Sequence, residues 1–255
     1  MDTALITSGF KALTATIQAT KTVSRFKRFW NGLWFNRKRI LVVGESGSGK
    51  SQFLSSIQKY GVCIDERTLV AEEIKMTLDD GHVIIFVDLP GHSTSREIRK
   101  RRISEISKGK YIGIVNVVCY GYQVIDEVNA DKVFEAGTNN VKVGFLNDNR
   151  KLELSQIDEW VGHITLDSGI KWVLTLVNKA DLWINDTNVS NYYEEGEYSS
   201  KFERIKSLAD CVVIPYCSII GNFYNRHLSL IDEKEKIKLH NNLRNNLLKL
   251  IQEKL

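Results

Sequence analysis

The sequence predicts an α/β fold: a three-layer, mostly parallel sheet with helices on both faces, preceded by a helical extension at the N-terminus. Three observations predict it. Short apolar runs of strand length, at residues 40–43, 83–87, 111–120, 172–177 and 211–216, are separated by stretches with helical spacing. Asp79-Asp80-Gly81-His82 reads as a hairpin turn, so residues 70–78 add one antiparallel edge strand to the run at 83–87. Each segment rich in glycine or in charged residues suited to chemistry directly follows a predicted strand, which places a ligand at the carboxyl ends of the sheet.

The elements follow in order. Ile6, Phe10, Leu13 and Ile17 recur at helical spacing within residues 3–23. From Arg25 to Arg39 a second amphipathic segment carries Phe26, Phe29, Trp30, Leu33 and Trp34 on one stripe, flanked by Arg25, Lys27, Arg28, Arg37 and Lys38. Such a helix docks on protein or lies on an anionic membrane surface. Residues 1–36 are therefore expected to form an extension and residues 37–255 the main domain. Residues 52–60 read as a helix with Phe53, Leu54 and Ile57 inward, and residues 61–69 as a loop. Residues 93–110 read as a basic surface helix, its charges forming a solvated face. Residues 121–149 show little periodicity and read as an insertion. Leu154, Ile157, Trp160 and Val161 mark a helix over 152–164. Residues 184–199 are polar and rich in Tyr and Glu, so a loop is expected, then a short helix over 201–208. A final helix over 233–255 is expected to bury Ile237, Leu243, Leu247, Leu250 and Ile251.

Composition excludes several classes. At 255 residues, 43% hydrophobic and 26% charged, the chain can bury one sizeable core, and its net charge of +4 does not point to nucleic acid. The four cysteines form no C-x-x-C pair, so no zinc site is expected and they read as reduced thiols of a cytoplasmic protein. No apolar run reaches the ~18 residues of a membrane span, and the N-terminus is not expected to act as a signal peptide.

The most informative stretch is Gly44-Glu45-Ser46-Gly47-Ser48-Gly49-Lys50-Ser51, the pattern G-x-x-x-x-G-K-[ST] between a strand and a helix. It is the signature of a loop whose backbone N–H groups cradle nucleotide phosphates. The contacts expected there are Gly44, Gly47, Ser48, Gly49, Lys50, Ser51 and Gln52, with Lys50 on the β- and γ-phosphates and Ser51 on Mg²⁺. Three later motifs follow in order: Asp88-Leu89-Pro90-Gly91, Asn178-Lys179-Ala180-Asp181 and Cys217-Ser218-Ile219.

Together these resemble the motifs of a P-loop GTPase of the translation-factor-related class, over about residues 37–255. The resemblance implies a G domain that binds Mg–GTP, hydrolyses it to GDP and phosphate, and acts as a nucleotide-dependent switch. It implies that Ser51, Thr68 and Asp88 hold the metal and that Gly91 approaches the γ-phosphate. It further implies that Asn178, Lys179, Asp181, Ser218 and Ile219 surround the base. His92 follows D-x-P-G, where a histidine in this class orients the attacking water, so Lys50, Thr68 and His92 are the expected catalytic residues. Chemistry supports Asp181 as the base selector, because a carboxylate accepts from both N1–H and N2–H₂ of guanine while adenine offers no such pair. Two further readings fit the same motifs. One is a scaffold that self-assembles on GTP through 121–149 or the N-terminal helices, as a homodimer or with a protein effector. The other is a protein recruited peripherally to a membrane through the 25–39 helix.

Overall fold

The computed structural model describes residues 37–57, 73–77, 83–90, 96–124, 128–218, 223, 224, 226 and 228–255. Expectations for the N-terminal extension through residue 36, and for Thr68, Gly91, His92 and Ile219, fall on positions outside the described residues.

Six strands form one sheet among the described residues: β1 (Arg37–Val43), β2 (Glu73–Thr77), β3 (Val83–Asp88), β4 (Gly113–Val118), β5 (Trp172–Val177) and β6 (Asp210–Pro215). Their spatial order is β2-β3-β1-β4-β5-β6. Every pairing is parallel except β2 with β3, the expected antiparallel edge. The central strands are near-continuous apolar runs because helices cover both of their faces. Alternate residues of β1 divide accordingly. Ile40 and Val42 join Phe53, Leu54, Ile57, Leu247 and Ile251 on one side. Leu41 and Val43 join Ile103, Ile157, Trp160 and Tyr193 on the other. The first group draws on α1 (Lys50–Ile57) and the C-terminal helix. The second draws on α2 (Arg96–Ser104), α4 (Val143–Val161) and α5 (Thr187–Glu194); a one-turn α3 (Ala130–Val133) precedes α4. This is the three-layer, mostly parallel arrangement that the sequence predicts. Gly113 makes room within it, since a Cβ there would lie 2.3 Å from the indole of Trp172, its partner on β5.

Several boundaries differ from the sequence expectation, each for a physical reason. Arg37, Lys38 and Arg39 belong to β1 and not to a basic helix; Arg39 pairs with Glu73 on β2 at 2.7 Å. The basic helix is not wholly solvated, because Arg99 is buried and paired with Glu159 at 2.7 Å. α4 begins at Val143, inside the stretch read as irregular, because Asn149 and Glu153 are buried polar residues that interrupt an apolar stripe. Residues 184–199 are helical, as α5 and α6 (Glu197–Ser200), and bury Tyr193 and Tyr198 by giving their hydroxyls partners. The short helix expected over 201–208 is a series of turns. The C-terminal helix, α7 (Glu233–Lys254), leaves Ile237 50% exposed and buries Lys236 instead.

Candidate functional site

β1 delivers the glycine-rich loop at the carboxyl end of the sheet, and α1 begins at Lys50. Two glycines show why the loop needs them. Gly47 sits at φ +74°, and a Cβ there would lie 2.2 Å from the Val124 carbonyl oxygen. Gly49 sits at φ +95°, and its Cβ would meet the Asn178 side-chain nitrogen at 2.4 Å. Lys50 folds back beneath the loop, its Nζ donating to the carbonyls of Gly44 at 2.9 Å and Glu45 at 3.0 Å. Burial pushes the Lys50 ammonium below its ordinary pKa, with the nearby charges of Asp88 and Glu45 opposing. Asp88 ends β3 and is 1% exposed. Ser51 and Gln52 occupy the first turn of α1, half-buried. Ser48 is fully buried and its hydroxyl has no hydrogen-bond partner among the described residues.

The second half of the site comes from β5, β6 and the loops beyond them. Asn178 is completely buried at the end of β5. Its Nδ2 donates to Ser48 O at 3.0 Å, and its Oδ1 accepts from Ser218 N at 2.9 Å. One amide therefore ties the glycine-rich loop to the loop after β6. Lys179 adopts a left-handed conformation, φ +58°, and its Nζ donates to Gly47 O at 3.1 Å and to Tyr122 O. Asp181 lies in the one-turn helix Ala180–Leu182 and is 3% exposed. Its Oδ1 accepts from the Cys217 thiol at 3.6 Å, and its Oδ2 is 3.8 Å from Lys236 Nζ. Burial pushes the Asp181 carboxyl up, with the Lys236 charge as the largest opposing influence. Burial, assisted by the Asp181 charge, pushes the Cys217 thiol up to about 12.

A third segment, residues 119–124 after β4, closes the arrangement. Val124 N donates to Gly47 O at 3.3 Å. The segment hangs on Glu153 of α4. Glu153 Oε1 accepts from Cys119 N at 2.9 Å, Gly121 N at 3.3 Å and Gln123 Nε2 at 2.9 Å. Its Oε2 accepts from the Tyr193 hydroxyl at 2.9 Å, which in turn accepts from Tyr120 N at 2.9 Å. Beyond Lys179, whose Nζ sits 5.5 Å from the Phe223 ring centre, Phe223 contacts Tyr122 and Phe134 edge-on.

The structure thus gathers Gly44, Gly47, Ser48, Gly49, Lys50, Ser51, Asp88, Asn178, Lys179, Asp181 and Ser218 at the carboxyl ends of β1, β3, β5 and β6. Sequence reasoning missed Glu153, Cys217 and Lys236. Cys217 stood inside a quoted motif without a role, while nothing in the spacing of Glu153 or Lys236 ties them to the site. Chemically, a helix N-terminus and a buried ammonium suit an anion, beside a buried carboxylate with acceptor capacity in hand. Among the described residues, no group of three or more His, Cys, Asp or Glu is placed to hold a metal ion, and no helix is long and apolar enough to cross a membrane. No family model matches the chain, and no curated protein matches it. Among solved structures it is similar to the signal recognition particle receptor SRb-GTP/SRX complex from Chaetomium thermophilum, at 12% identity and a TM-score of 0.47, over 72% of this chain and 92% of that one.

Proposed function

We propose that this chain is a GTP-binding switch protein that binds Mg–GTP and hydrolyses it to GDP and phosphate. The observation that carries the proposal is the Asn178 side chain, which bonds at once to Ser48 of the glycine-rich loop and Ser218 of the loop after β6. Three motifs far apart in sequence are thereby fastened together, which supports reading them as one site with a phosphate end and a base end.

In this reading the loop N–H groups from Gly44 to Ser51 and the start of α1 receive the phosphates. Lys50 exchanges its two loop carbonyls for phosphate oxygens. The Ser48 hydroxyl, buried without a partner among the described residues, sits in the same cradle. Ser51 and Asp88 would hold magnesium, which would supply charge neutralisation for the phosphates. Asp181 accepts from N1–H and N2–H₂ of guanine, and Lys179 covers the ring. His92 orients the attacking water, while Thr68 and Gly91 follow the γ-phosphate and give the switch its two states.

The test is equilibrium binding of fluorescent GDP and ADP to the full chain and to Asp181→Asn, with phosphate release from GTP followed in parallel. The unmodified chain is expected to prefer GDP by at least a hundredfold. D181N should lose most of that affinity and gain affinity for XDP, because an amide offers one donor and one acceptor where the carboxylate offers two acceptors. Equal affinity for GDP and ADP in the unmodified chain would overturn the proposal.

A further inference from the structure

α7 begins beside the base end of the site, and its first turn is built in an unusual way. The Asp232 side chain caps it by accepting from Glu235 N at 2.8 Å, and Lys236 N donates to Asp232 O at 2.9 Å. In the next position Ile237 is 50% exposed, while Lys236 is 1% exposed. A helix that turns its isoleucine to solvent and its lysine to the interior gives up apolar burial and accepts the desolvation of an ammonium. Such a placement needs a buried counter-charge, and Asp181 supplies it at 3.8 Å. Two more contacts fix the helix to the same corner. Leu230 N donates to Asp181 O at 2.9 Å, and His240 Nδ1–H donates to Cys217 O at 2.6 Å.

We propose that Lys236 is the positioning residue for base selection, aiming the Asp181 carboxylate at the guanine edge and coupling the C-terminal helix to the choice of nucleotide. The proposal rests on the function advanced above and extends it to a residue of the helix. The 3.8 Å separation matters. It is an ion pair too long to be a hydrogen bond, so it fixes and neutralises the carboxylate without taking up the lone pairs that guanine needs. Cys217 on Oδ1 is a weak thiol donor at 3.6 Å and leaves acceptor capacity there as well. The charged and titratable groups facing Asp181 are Lys236 from α7, Cys217 from the loop after β6 and Lys179 from its own loop.

Removing the ammonium leaves, among the described residues, a buried carboxylate facing the Cys217 thiol, its own backbone N–H and the weaker influence of Lys179. Burial then favours its protonated form. A protonated carboxyl presents one donor and one acceptor, which matches the N1–H and C2 carbonyl of xanthine and mismatches the two donors of guanine. Lys236→Met should therefore change which base is preferred, whereas a lysine that only props the helix would weaken all nucleotides together.

The experiment measures GDP and XDP affinities of the full chain, K236M, K236Q and K236R, at fixed pH and magnesium. The expected result is a GDP-over-XDP ratio at least tenfold smaller in K236M, with K236R recovering most of the preference. K236Q removes the charge with less change in polarity and carries the same expectation if K236M does not fold. A ratio within threefold of the unmodified chain in the charge-removed variant overturns the proposal. GDP and ADP bound equally by the unmodified chain would instead overturn the functional reading on which it stands, so the two failures are distinct.

Discussion

The two ends of the proposed nucleotide site are built by different means. The phosphate end is one contiguous run from Gly44 to Ser51, shaped by its own backbone and by a lysine that bonds to carbonyls five and six residues away. The base end is assembled from the ends of β5 and β6, the 119–124 segment, α4 and α7, and every one of its key groups is held by a partner at least twenty residues distant. Local geometry shapes most of the first, with Asn178 and Lys179 bracing Ser48 and Gly47 from a distance. The second exists only when the whole domain is folded, so it should respond to changes far from any nucleotide contact.

The largest effect is expected where the two ends touch. Gly47 meets Val124 and receives Lys179 on its carbonyl. Gly47→Ala would drive a Cβ within 2.2 Å of the Val124 carbonyl oxygen, and backbone on both sides must move. GDP affinity should fall at least a hundredfold by fluorescence titration. The matched control is Gly137→Ala. Gly137 has a similar φ of +71° but nothing within 4 Å of an added Cβ. It should show only the ~1–2 kcal/mol cost of a left-handed side chain and bind GDP within twofold of the unmodified chain. Equal losses in both variants would mean that backbone strain alone, and not the junction of the two ends, sets affinity.

Asn178→Ala sharpens the comparison with a smaller effect. It strips Ser48 O and Ser218 N of a buried partner, each loss costing about 1–3 kcal/mol, while leaving the glycine-rich run intact. If the ends are coupled through this amide, affinity for pyrophosphate should fall along with affinity for GDP, by roughly tenfold or more by calorimetry. Pyrophosphate binding unchanged beside weakened GDP would show two independent ends.

The same division explains what was legible in the sequence. The strands declared themselves as apolar runs, and the phosphate end as a contiguous motif, because both follow from near-neighbour chemistry. The helices α5 and α6 did not, since their inward faces are tyrosines whose hydroxyls are paired with Glu153, Asn116 and Thr175, and a tyrosine looks polar until its partner is known. α4 was read as starting late for the complementary reason, its inward face being interrupted by Asn149 and Glu153. Lys236 was read past in favour of Ile237 because an ordinary amphipathic pattern assigns lysine to solvent.

Glu153 gives the smallest effect and the one most specific to the base end. Burial raises its carboxyl above the ordinary 4.5, against the lowering influence of the Cys119, Tyr193 and Gly121 donors. The folded protein therefore holds this proton more tightly than the unfolded chain does. The sign follows: the contribution to stability is fully present below about pH 4.5 and is lost as pH rises through the raised folded value. Glutamine resembles the protonated acid in shape and charge but brings two N–H donors where the acid has one O–H, so Glu153→Gln should stay within about 1–3 kcal/mol of the unmodified chain at the acid end. Urea unfolding at successive pH values upward from 4.5 should then show E153Q losing less stability, the slopes differing by up to ~1.4 kcal/mol per pH unit. Asp181 is shifted in the same direction and is present in both proteins, so it cancels in the difference. Parallel slopes would mean that the four donors around Glu153 outweigh its burial and keep it ionised, making the 119–124 segment an anion-held loop instead of one whose anchor takes up a proton.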